Sequence, residues 1–145
     1  MMKFINILTE ANQEYLNEII DKMSISEIEY TESLYSKFSA IEYIDDKDNE
    51  CMFAILDDNL LVEISSLYKK YGIKFKVVDL STDIFFDNHF DVLFENNIGQ
   101  DMSNIILKLI LNFKEDFTTK DIVLDKILSK GISSLTKFDK KVLDN

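Results

Sequence analysis

The single histidine, His89, lies in the run Asp87-Asn88-His89-Phe90-Asp91, which offers the oxygen and imidazole donors a divalent cation takes. These side chains align only if the segment is extended, and no second histidine supports them, so an ordinary polar turn is the reading adopted. A second cluster, Asp45, Asp46, Asp48 and Glu50, resembles a calcium loop at first sight. An EF-hand loop needs Gly at its sixth position and a bidentate Glu at its twelfth. Counted from Asp46 those positions are Cys51 and Asp57, so the pattern fails and the segment reads as a solvated hairpin loop. Cys51 opens an apolar run, where a free thiol is usually buried and inert, and His89 is the only imidazole available to activate it. The three glycines, Gly72, Gly99 and Gly131, build no phosphate-cradling loop. Carboxylates are too abundant for any pair to stand out as acid and base. No catalytic residue, cofactor site or metal ligand is assigned, and the chain is expected not to be an enzyme and to carry no cofactor.

Charge says more. The formal net charge is −11, and it is uneven: residues 1–100 hold 20 acidic residues and 8 lysines, whereas residues 101–145 hold 7 and 8. All 16 basic residues are lysines. Without the guanidinium fork, and with a field that repels polyanions, direct nucleic-acid binding is excluded from the expectations. The missing Arg and abundant Ile, Asn, Lys, Phe and Tyr also match an AT-rich coding sequence, which accounts for the composition without selection on function. The N-terminal run Met1 to Leu8 lacks the features of a secretory signal, and no apolar stretch approaches the roughly 20 residues of a membrane span. One cysteine permits no intrachain disulfide. The chain is therefore expected to be cytoplasmic, with no membrane partner.

At 145 residues the chain is long enough to bury a core without staples. Phe4, Leu8, Ala11, Tyr15, Leu16, Ile19, Ile20 and Met23 recur at helical spacing, which predicts a helix from residue 3 or 9 to residue 23. The alternative is a short strand over Lys3 to Leu8, with Thr9 capping the helix. Ser24 and Glu27 form a capping box, predicting a helix to about residue 38. Ala40 to Ile44 and Cys51 to Leu56 predict a β-hairpin. Asp57 or Asp58 caps the next helix, Lys69 and Lys70 occupy its last turn, and Gly72 stops it. Ile73 to Leu80 reads as a strand. Ser81 to Asn97 fits a helix pair or a strand equally, and Asp101 to Phe113 predicts an apolar helix. The fold class is α+β: a small mixed sheet, made of the hairpin and a β-α-β unit, packed with several helices. An acidic domain spans 1–115, with a C-terminal helical hairpin at 116–145 packed on it.

In that hairpin, Thr118 with Asp121 forms a weaker capping box, Gly131 stops the first helix and Thr136 caps the second. The run Asp121-Ile122-Val123-Leu124-Asp125-Lys126-Ile127, followed by Lys130-Gly131-Ile132-Ser133-Ser134-Leu135-Thr136 and Asp139-Lys140-Lys141-Val142-Leu143, resembles a helical-hairpin appendage. Such appendages occur at the C-terminus of some bacterial rhomboid-family proteins and of other bacterial proteins. The resemblance covers roughly the last 25 residues and implies a docking element or a structural lock, not protease activity.

The function expected is a non-enzymatic, acidic protein–protein interaction protein, either immunity- or inhibitor-like or an accessory subunit of a bacterial or phage system. Its partner carries a basic surface, met by Asp45, Asp46, Asp48, Glu50, Tyr30 and Tyr43, with Tyr35 also read as exposed. One alternative is a structural assembly component whose apolar patch holds Phe85, Phe86, Phe90 and Phe94. Another is a small hydrolase-type enzyme using His89 with Asp87 or Asp91.

Overall fold

The sheet is built from the first half of the chain. In the computed structural model, which describes residues 1–45, 50–86 and 100–145, the chain divides into two compact units, Met1–Leu80 and Ser81–Asn145. The first contains β1 (Met2–Thr9), α1 (Gln13–Lys22), α2 (Ile25–Ser36), β2 (Ala40–Asp45), β3 (Glu50–Asp57), α3 (Asp58–Lys70) and β4 (Phe75–Asp79). The strands lie in the order β2-β3-β1-β4, and every neighbouring pair is antiparallel.

The fold class is α+β, as expected, but the sheet is not mixed. β3 and β4 do run parallel through the α3 crossover, yet β1 is inserted between them. β1 and β2 are likewise parallel and separated by β3. Two interleaved split β-α-β units give the β-α-β-β-α-β ferredoxin-like arrangement. Its first crossover is a helix pair instead of a single helix.

The inserted strand decides between the two readings of the N-terminal run: the strand over Lys3 to Leu8 holds, extended to Met2–Thr9, and no helix starts at residue 3. Phe4, Ile5, Asn6 and Ile7 are all buried, as befits a central strand hydrogen-bonded on both edges. Alternation then sorts the side chains. Ile5 and Ile7 of β1, with Met52, Ala54 and Leu56 of β3, join Leu34 of α2 and Leu60, Ile64, Leu67 and Tyr68 of α3 in one core cluster. The other face carries Phe4 and Phe53, in ring contact with centroids 6.2 Å apart.

Local signals hold where they were expected. Ser24 and Glu27 complete the capping box of α2, and the Asp57 carboxylate accepts from the Leu60 amide at 2.8 Å to open α3. Gly72, with φ +68°, takes the left-handed conformation that ends α3. The start of α1 moves: Asn12, not Thr9, caps it by accepting from the Tyr15 amide.

The second unit contains α4 (Ser81–Phe85), α5 (Gln100–Phe117), α6 (Lys120–Lys130), a 3-10 turn at Ile132–Ser134 and α7 (Lys137–Asp144). The long helix α5 thus belongs with the C-terminal elements, and the chain divides at Leu80 and not at residue 115. Phe85 stacks on Phe113 at 5.0 Å, and Phe113 contacts Phe117 at 5.3 Å. Thr119, one residue later than predicted, caps α6 by accepting from the Ile122 amide. Thr118 instead donates back to the Lys114 carbonyl. Gly131 ends α6 and Thr136 forms a capping box with Asp139 to open α7. Among the described residues, no helix is long and apolar enough to cross a membrane.

Candidate functional site

Residues 10–36 carry seven carboxylates (Glu10, Glu14, Glu18, Asp21, Glu27, Glu29 and Glu32) against one cation, Lys22. They belong to the helix pair α1–α2 and its approach. Glu14, Glu18 and Asp21 are spaced to share the outer face of α1, and Glu29 and Glu32 that of α2; all five are exposed. Large apolar side chains stand exposed among them: Tyr15 on α1, Ile25 (77% exposed) and Tyr30 (52%) on α2.

The inner side of α1 is incompletely packed. None of its residues is fully buried, although Leu16 and Ile19 reach the core cluster. Beneath it lies a pocket of about 200 Å³, bounded by Leu16, Ile19, Ile20 and Met23 of α1 and by Tyr35 of α2, Tyr43 of β2, and Tyr68 and Tyr71 of α3 and its C-cap. Thr9 and Glu50 close its end at the sheet. Strand alternation explains this convergence: Thr9 pairs with Glu50 and Tyr43 with Met52, so these side chains share the helix-facing side of the sheet.

The phenols are neutral hydrogen-bonding groups. The Tyr35 and Tyr68 hydroxyls lie 2.9 Å apart and share a hydrogen bond. Burial first, and the nearby Glu50 charge among lesser causes, pushes the Tyr35, Tyr43 and Tyr68 hydroxyls above the ordinary phenol value. Tyr71 donates to Glu27 Oε2. That bond leads the causes holding the Glu27 carboxyl low, ahead of the bonds from Ser24, with Lys70 at 3.8 Å adding to them.

The predicted interaction residues separate. Glu50 is half-buried at the pocket, and its carbonyl accepts from Thr9 Oγ1 at 3.2 Å. Tyr43, 43% exposed, stands at the same pocket, whereas Tyr30 faces outward on α2. Tyr35, read as exposed, is half-buried and tied to Tyr68. Asp45 pairs with Glu50 through the hairpin register; Asp46 and Asp48 lie outside the described residues. So do His89, Asp87, Asp91, Phe90 and Phe94, while Phe85 is part of the ring stack of the second unit.

Cys51 faces the side of the sheet opposite Glu50. Its Sγ accepts from Asn6 Nδ2 at 3.1 Å, and burial pushes the thiol up, outweighing that bond. Among the described residues no group of His, Cys, Asp or Glu is arranged to hold a metal ion. Sequence reasoning missed the roles of Tyr68, in the last turns of α3, and Tyr71, its C-cap, because helical spacing alone does not reveal a shared pocket. It also missed the density of charge on α1–α2, which a count over residues 10–36 reveals. No family model, curated protein or solved structure matches the chain.

Proposed function

We propose that this chain is a cytoplasmic, non-enzymatic interaction protein that binds a basic protein surface through the outer faces of α1 and α2. The observation that carries the reading is the placement of Tyr15, Ile25 and Tyr30, all exposed, among the carboxylates of the helix pair. Aromatic and aliphatic anchors supply contact energy once water is excluded, and surrounding charge steers a partner of opposite sign. An inhibitor or immunity protein neutralising a cationic enzyme has this character, as does an accessory subunit of a bacterial or phage assembly. The carboxylates of Asp45, Asp46, Asp48 and Glu50 add to the charge; the helix pair supplies the anchors.

The test is capture of a partner from host lysate by the intact chain at low and moderate salt, followed by reconstitution with the purified partner. The expected result is a basic protein whose association rate falls as salt rises. Glu14→Lys with Glu18→Lys slows that association, and Tyr30→Ala speeds dissociation. A partner whose binding ignores both changes overturns the reading.

A second reading, structural assembly, draws on a different observation. Leu124 and Leu128 (85% exposed) stand one turn apart on α6, with exposed Ile132 beyond them. It predicts self-association lost on Leu128→Glu, measured by light scattering.

A further inference from the structure

The pocket beneath α1 has a chemistry of its own, independent of the outer faces of the helix pair. Its volume of about 200 Å³ exceeds the roughly 150 Å³ of an apolar cavity that holds benzene, so a ring with a short arm fits. Four of the six tyrosines in the chain line it. No lysine lines it among the described residues, and Glu50 is the carboxylate at its edge. Among the described lining residues an anion therefore finds no counter-charge, whereas a cation finds aromatic rings, phenol oxygens and a carboxylate.

We propose that this pocket binds a small organic ammonium ion, with its apolar body against Leu16 and Ile19 and its charged head among Tyr43, Tyr68 and Glu50. Aromatic faces attract a desolvated cation through their negative quadrupole, and the phenol oxygens accept its N–H bonds. The Tyr35–Tyr68 hydroxyl pair holds these two rings in one arrangement, so the site is pre-organised on that side. On the other side lies α1, without a fully buried residue. A ligand's apolar body completes the packing that this helix lacks.

The experiment is titration of the full chain at neutral pH with 2-phenylethylamine, its neutral isostere 2-phenylethanol, and the anion 3-phenylpropanoate. Binding is read by amide chemical shifts and by tyrosine fluorescence, which no tryptophan obscures. The amine is expected to saturate, the alcohol to bind about tenfold more weakly, and the anion not to bind at concentrations up to about 10 mM. Glu50→Gln is expected to bring the amine down to the alcohol's affinity while leaving the alcohol unchanged. Tyr43→Leu weakens the amine selectively and serves if the first variant does not fold. Equal binding of amine and alcohol, or no saturable shift for the amine, overturns the proposal. Because none of these readouts uses a protein partner, the result is separable from the fate of the interaction reading.

Discussion

Asp139 places two tasks on one oxygen. Its Oδ2 accepts from Lys126 Nζ at 2.6 Å and from the Thr136 amide at 2.9 Å, so a single atom serves both a buried ion pair and a helix cap. Lys126 and Asp139 are both almost completely buried, and Asp139 Oδ1 has no hydrogen-bond partner among the described residues. Removing one member of such a pair strands the other charge. Lys126→Met is therefore expected to cost about 3–5 kcal/mol, measured by denaturant unfolding followed in the second unit. Replacing both, as Lys126→Met with Asp139→Leu, removes the stranded charge and leaves mainly the lost cap, about 1 kcal/mol. The pH dependence has a definite sign. Burial pushes the Asp139 carboxyl up, but the bonds from Lys126 and Thr136 outweigh it, and the net position is below the usual carboxylate value. A depressed carboxyl contributes stability that is complete above its unfolded value of about 3.9 and is lost as pH falls through the lower folded value. Acid unfolding of the second unit is expected in that window, and Asp139→Asn is expected to flatten its pH dependence there.

At the level of elements, the signals that were legible are those confined to a few residues. Ser24 with Glu27, Asp57, and Thr136 with Asp139 mark helix starts because a cap needs only its own turn. Gly131 goes further than a routine stop. Its φ of +83° and ψ of 166° fall in a region open essentially to glycine alone. Gly131→Ala is thus expected to cost about 1–3 kcal/mol, although nothing among the described residues lies within 4 Å of the added methyl. A thermal melt with intact helicity but a lower midpoint is the expected record; an unchanged midpoint would show that the turn relaxes freely. The strand β1 was ambiguous because Phe4, Leu8 and Ala11 satisfy a helical stripe, while its partners in β3 lie about fifty positions along the chain. Tyr43 and Glu50 stood out as surface chemistry, yet the pocket they join was hidden. It exists only once split crossovers bring Tyr35, Tyr68 and Tyr71 to the same end of the sheet, and no local spacing encodes that.

Across the whole molecule, the division into units is also a division of charge. The unit Met1–Leu80 holds 16 carboxylates and 8 lysines, net −8; the unit Ser81–Asn145 holds 11 and 8, net −3. Like charges at this density repel through solvent, and the repulsion is relieved by added salt over a Debye length of about 10 Å at 0.1 M. Much of the excess sits on α1 and α2, where Glu14, Glu18, Asp21, Glu29 and Glu32 have Lys22 as the only lysine within the two helices. Salt should therefore stabilise the first unit more than the second, and most of all protect the amides of α1, the helix with no fully buried side chain. Hydrogen exchange at low and moderate ionic strength separates the units residue by residue. The expected outcome is slower exchange in α1 and α2 on adding salt, with little change in α6 and α7. A basic partner would act in the same direction by supplying the missing counter-charge, and would do so at low salt, where the field is strongest. Equal salt responses in both units would mean that the carboxylates of the helix pair are already balanced locally, which would remove the physical basis for steering a cationic protein to this face.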